Sequence, residues 1–117
     1  MHVLIVDDDP EIRLIAGFLL QSAGHAVAEA TDAADATRQL AAAQPDVVLM
    51  DVMLGSEDGI AVATQLLADL PVRPPLIFLT AATRPEQVER MRAAGAAGIV
   101  HKPFDPDTFV STIERLV

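Results

Sequence analysis

Five times along this chain a short run of β-branched or aliphatic residues gives way to a segment with helical spacing, and this alternation limits the fold more than any other feature. Repeated β/α units of that kind pair their strands side by side in a parallel sheet and lay helices over both faces. Strands are predicted at about His2 to Val6, His25 to Ala30, Asp46 to Met50, Leu76 to Leu79 and Gly98 to His101. Between them, Ile12, Ile15 and Leu19 form one helical stripe, Ile60, Ala63, Leu67 and Leu70 a second, and Phe109, Ile113 and Leu116 a third. Asp32 to Ala43 is weakly amphipathic, and its helix rests on alanine content. Asp9-Pro10, Thr83-x-x-Glu86 and Asp105-Pro106 read as helix starts, and Gly24 and Gly95 as helix stops. The fold class is therefore α/β, doubly wound, and residues 1–117 read as one domain with no room for a second.

Composition narrows the function. Aromatic residues are 3% of the chain, so the core must be built from Val, Leu, Ile and Ala, as suits a parallel sheet under alanine-rich helices. A formal charge of -9, with no cluster of Lys or Arg, repels nucleic-acid phosphates and anionic lipid, so neither direct nucleic-acid nor membrane binding is expected. With no cysteine there is no disulfide or thiolate metal site, and His2, His25 and His101 are far apart in sequence and read as surface or core-edge residues. The first apolar run ends at Asp7, too early for a signal peptide or a membrane span, and a cytoplasmic location is the expectation.

In an open parallel sheet, ligands bind outside the carboxyl ends of the strands. There this chain carries Asp7-Asp8-Asp9, Asp51, Thr80-Ala81 and Lys102-Pro103. Crowded carboxylates cost stability unless a cation neutralises them, and a hard divalent ion such as Mg2+ suits oxygen ligands. Each position alone has a plainer reading. Asp9 before Pro10 is a helix cap, Asp7 and Asp8 are solvated loop acids, Asp51 caps the next helix, and Thr80 is a β-branched strand end. Lys102 is the only lysine in a chain whose other cations are arginines, which favours a specific role.

Taken together, Val3-Leu4-Ile5-Val6-Asp7-Asp8-Asp9, Asp51-Val52-Met53-Leu54 with Asp58-Gly59, Leu79-Thr80-Ala81, Gly95-Ala96 and Lys102-Pro103-Phe104 resemble the response regulator receiver family in order and spacing. The resemblance implies a flavodoxin-like (βα)5 fold with strand order 2-1-3-4-5. It implies a phosphoacceptor at Asp51, magnesium held by Asp7, Asp8, Asp51 and the Met53 carbonyl, and Thr80, Ala81 and Lys102 around the phosphoryl group. The donor it implies is a phosphohistidine on a sensor histidine kinase or a histidine phosphotransfer protein. Output would pass through the face of the fourth helix, fifth strand and fifth helix, to a second copy of the chain or to a downstream protein. The receiver would catalyse its own phosphotransfer, and its dephosphorylation slowly, since Met53 and Ala82 stand at positions that resemble tuning sites for hydrolysis and neither orients a water molecule. Two departures stand out: Ile99 replaces the family's usual aromatic, so no ring is present there to rotate with Thr80, and Gly55 replaces a common proline, which loosens the loop after Asp51. Two rivals stay open. One is a haloacid-dehalogenase-type phosphohydrolase with Asp7 as nucleophile, disfavoured by Glu11, by chain length and by an idle Asp51; the other is a receiver-like module that dimerises without phosphorylation.

Overall fold

Side chains alternate across a pleated strand, so a strand buried on both faces feeds two cores at once. A computed structural model shows this in the chain and describes residues 1–81 and 84–117. Strands β1 (His2–Val6), β2 (Ala26–Ala30), β3 (Val47–Asp51), β6 (Leu76–Thr80) and β7 (Gly98–His101) form one parallel sheet in the order β2-β1-β3-β6-β7. Counting sheet strands alone, this is the expected 2-1-3-4-5 order. Leu4, Val6, Val48, Met50 and Phe78 face helices α2 (Ala33–Ala42), α3 (Gly59–Ala68) and α4 (Pro85–Ala93). Their neighbours Val3, Ile5, Val47, Leu49, Ile77 and Leu79 face α1 (Pro10–Ser22) and α5 (Phe109–Leu116). Among the described residues no helix is long and apolar enough to cross a membrane.

The ends of elements follow local hydrogen bonding. Asp9 caps α1 through its carboxylate and the Glu11 N–H, with Pro10 at the first helical position. At the other end Gly24 and His25 donate to Gln21 and Leu20, and Gly95 and Ala96 donate to Arg92 and Met91, so both expected stops close as Schellman motifs. That closure takes His25 out of β2, which starts one residue later than expected. Asp46 likewise precedes β3, where its carboxylate accepts from the His2 N–H. α2 forms with Ala36 as its buried residue.

Three expectations change. Ile15 does not join the buried stripe of α1 but is exposed beside Leu14 and Phe18. The arc toward the sheet is Ile12, Ala16, Leu19 and Leu20, at the i, i+4, i+7, i+8 spacing of a broad face. Asp105-Pro106 opens a turn rather than α5, with Asp105 accepting from the Asp107 N–H and the helix starting at Phe109. The cap residue of α4 is Arg84, whose side chain makes no capping bond, while Thr83, expected to start that helix, lies outside the described residues.

α3 begins against the strand end that carries Asp51. The Gly59 N–H donates to the Val52 carbonyl, and a Cβ on Gly59 would lie 1.8 Å from the Asp51 carbonyl oxygen. Only glycine permits that approach. Gly59→Ala is expected to destabilise the fold by roughly 3 kcal/mol or more, since backbone rather than a pliable side chain must yield. Urea denaturation measures it, and a loss below about 1 kcal/mol would show that the junction relaxes freely.

Candidate phosphoacceptor site

Parallel order puts the carboxyl ends of all five sheet strands on one rim. Asp7 directly follows β1. Asp51 and Thr80 are the last residues of β3 and β6, one position further into their strands than expected, so the sheet ladder fixes their backbones. Ala81 follows in an exposed bend. Lys102 follows β7, and its N–H donates to the Thr80 carbonyl. Phe104 stacks on Phe109 with ring centroids 4.2 Å apart, pinning the segment after Lys102 to α5. The Lys102–Pro103 peptide is cis.

The charges converge. Asp7 is fully buried, Asp51 and Thr80 nearly so, and Asp8 is exposed. Oxygen atoms of Asp7, Asp8 and Asp51 lie within 4.8 Å of one another, forming the one cluster of potential metal-ligating side chains among the described residues. Lys102 Nζ is 2.7 Å from Asp7 Oδ2 and 3.4 Å from Asp51 Oδ1. Asp7 Oδ1 accepts from the Asp9 N–H at 2.9 Å, and Asp51 Oδ1 accepts from the Met53 N–H at 3.2 Å. Asp7 thus has a donor on each oxygen and no exposed surface, which leaves Asp51 as the reachable one of the two interior acids and weighs against Asp7 as a nucleophile. Burial, and then repulsion from Asp7, push the Asp51 carboxyl up to about 6, against the pull of Lys102 and the Met53 N–H.

All the residues expected at the site thus meet at one rim. One feature was not anticipated: a ribbon of β4 (Met53–Leu54) and β5 (Glu57–Asp58), in which Met53 pairs with Asp58. Its turn begins with Gly55 at φ 62°, a value proline cannot adopt, so glycine here builds a hairpin instead of merely loosening a loop. The signal was present in Gly55-Ser56 between short flanks. Met53 is exposed beside Asp51, while Ala82, its expected companion in controlling hydrolysis, lies outside the described residues. Ile99 is half-buried against the core under α2, α3 and α4. His25 bridges the Met1 amine and Glu114 through its two ring nitrogens.

The sequence profile of the response regulator receiver domain matches residues 3–114. The chain belongs to that family. PetR of Rhodobacter capsulatus is 36% identical over 119 residues, covering 99% of this chain and 48% of PetR. The transcriptional regulatory protein PdtaR of Mycobacterium tuberculosis is 34% identical over 117 residues, covering 99% of this chain and 56% of PdtaR. The receiver chain therefore spans about half the length of these relatives. The chemotaxis protein CheY4 of Vibrio cholerae superposes with a TM-score of 0.90 at 32% identity, covering 99% of this chain and 98% of that one. The chain is a response regulator receiver domain of two-component signalling with a flavodoxin-like, CheY-like fold.

The raised Asp51 value makes a pH prediction for the receiver. Ionising Asp51 costs the folded state nothing below its ordinary 3.8, progressively more as pH rises toward about 6, and the full amount above. At about 1.4 kcal/mol per pH unit that is at most about 3 kcal/mol. Without divalent metal, Asp51→Asn is expected to be the more stable protein at pH 7.5 by about 1 to 3 kcal/mol, with the difference closing as pH falls from 6 to 4. Urea melts across that range test it, and a difference independent of pH would contradict the assigned burial cost.

Proposed function

We propose that this receiver accepts one phosphoryl group on Asp51 and uses it to alter the surface formed by α4, β7 and α5. The observation that carries the reading is the ionic arrangement at the rim: an interior carboxylate, reachable from solvent, beside a second buried carboxylate and within 3.4 Å of the chain's single lysine. Phosphoryl transfer needs in-line placement and neutralised charge more than it needs acid or base groups. An Asp51 oxygen attacks phosphorus, the bond from phosphorus to the donor nitrogen breaks, its electron pair leaves with the imidazole, and an acyl phosphate remains. Lys102 balances charge on the transferred oxygens, and Thr80 and Ala81, at the end of β6, offer a hydroxyl and a backbone N–H to them.

The donor set fits magnesium. Asp7, Asp8 and Asp51 supply carboxylates, the Met53 carbonyl supplies a fourth oxygen, and the exposure of Asp8 leaves that side open to water and phosphate. The ion would supply positive charge to the acid cluster and to the phosphoryl oxygens. The receiver catalyses its own phosphorylation and slow dephosphorylation and is not an enzyme acting on a separate substrate. Its donor is a sensor histidine kinase or a histidine phosphotransfer protein.

Relatives such as the DNA-binding response regulator MtrA of Mycolicibacterium smegmatis, of which this chain covers 48%, are about twice as long. In a longer protein of that kind, contact with DNA would belong to the further half and not to this acidic receiver. We assign the domain to the cytoplasm, with the α4, β7, α5 face serving a second copy or an output protein.

With magnesium and acetyl phosphate, intact mass spectrometry is expected to show one added phosphoryl group, which does not form when a chelator is present from the start or in Asp51→Asn. Lys102→Ala should label at least tenfold more slowly, equivalent to about 1.4 kcal/mol. Equal labelling of parent and Asp51→Asn would overturn the reading.

A further inference from the structure

The short ribbon after Asp51 is tied to three helices by two consecutive acids. Glu57 accepts from the Ala33 N–H at the start of α2 at 3.1 Å. Asp58 caps α3, with its Oδ1 accepting from the Ile60 and Ala61 N–H groups. Its other oxygen, Oδ2, accepts from the Arg90 guanidinium of α4. Asp58 in turn sits opposite Met53, whose N–H holds Asp51 Oδ1. A continuous line therefore runs from Arg90 through Asp58 and Met53 to the phosphoacceptor.

α4 itself is thinly anchored. Met91 is its one buried residue, and Arg84 gives no side-chain cap. A recess of about 490 Å³ separates it from α3, lined by small residues including Ala61, Thr64, Ala93 and Ala94, and one of about 270 Å³ separates it from the ribbon, between Met53 and Gln87. Arg90 borders both recesses. The Arg90–Asp58 pair is the ion pair that joins α4 to the rest of the fold among the described residues, since the helix's other one, Arg92 to Glu89, stays within it. The Arg90 hydrogen bond holds the Asp58 carboxyl below its ordinary value.

We propose that Arg90 is a positioning residue for the phosphoacceptor site: through Asp58 it clamps the Met53 to Asp58 ribbon, and so couples the placement of α4 to occupancy of the rim. This deepens the function proposed above and rests on it for the identity of the rim ligand. The pair is half-exposed, so it acts as a modest, salt-sensitive tether and not as a lock. By reciprocity, whatever tightens the ribbon around a rim ligand steadies α4 by the same factor, and loosening α4 weakens the rim.

Two measurements on Arg90→Gln, Asp58→Asn, the double variant and Arg90→Lys test this, Asn being chosen because it preserves the α3 cap. Hydrogen exchange on the metal-free protein is expected to speed up about threefold to fivefold at the amides of 53–58 and of α4 in each of the first two variants. The double variant should go no further, Arg90→Lys should fall near the parent, and amides of β1 and α5 should be unmoved. Magnesium titration followed by the Met53 and Gly55 amide resonances should show affinity lowered by a similar factor, the difference shrinking in high salt. Unchanged exchange in Arg90→Gln and Asp58→Asn, or fully additive effects in the double variant, would overturn the clamp. A parent that binds no magnesium would instead overturn the proposed function, and exchange alone would still decide the clamp.

Discussion

The structure depends on a single ammonium placed against two buried carboxylates. β1 and β3 are neighbours in the sheet, so Asp7 and Asp51 emerge side by side with hydrocarbon on both faces beneath them. Buried like charges repel strongly and are poorly screened. Lys102 relieves this from an outer strand: its backbone sits beside the end of β6 through the bond to Thr80, and its side chain reaches across to β3 and β1. The relief is incomplete. Nζ lies 2.7 Å from Asp7 and 3.4 Å from Asp51, and burial, then repulsion from Asp7, still push the Asp51 carboxyl up to about 6.

That shortfall links stability to chemistry. A fold that concentrates negative charge at one rim gains when a cation or a phosphoryl-bound cation arrives, so a ligand that binds the folded state stabilises it by mass action. The rest of the molecule holds the groups at fixed spacing for that event. The sheet fixes Asp51 and Thr80, the Phe104–Phe109 stack holds the segment after Lys102, and Gly59 lets α3 abut the carbonyl of Asp51. The ribbon then ties Asp51 to α2, α3 and α4 through Glu57 and Asp58.

Much of this was legible in the residues. Strand runs and apolar spacings carried the layer order, because a parallel sheet demands continuous apolar strands, and the strand-end acids, Thr80 and Lys102 could be gathered at one rim from topology alone. Errors arose where hydrogen bonds decide. His25 left its strand for the α1 closure, and Asp105-Pro106 became a turn because Asp105 capped Asp107 instead of a helix. Ile15 shows the limit of counting apolar residues: α1 carries apolar groups around more than half its circumference, and the sheet selects the arc around Ala16 and Leu20. The Asp58–Arg90 pair was invisible, since two residues 32 apart meet only when the ribbon folds.

The most direct test of the account is to locate the modification. After incubation with magnesium and acetyl phosphate, borohydride reduction converts an acyl phosphate into a stable alcohol that peptide sequencing by mass spectrometry can place. Reduction is expected at residue 51 and at no other acid of the rim. Reduction at Asp7 or Asp8, or none in a protein that has gained a phosphoryl group, would contradict it.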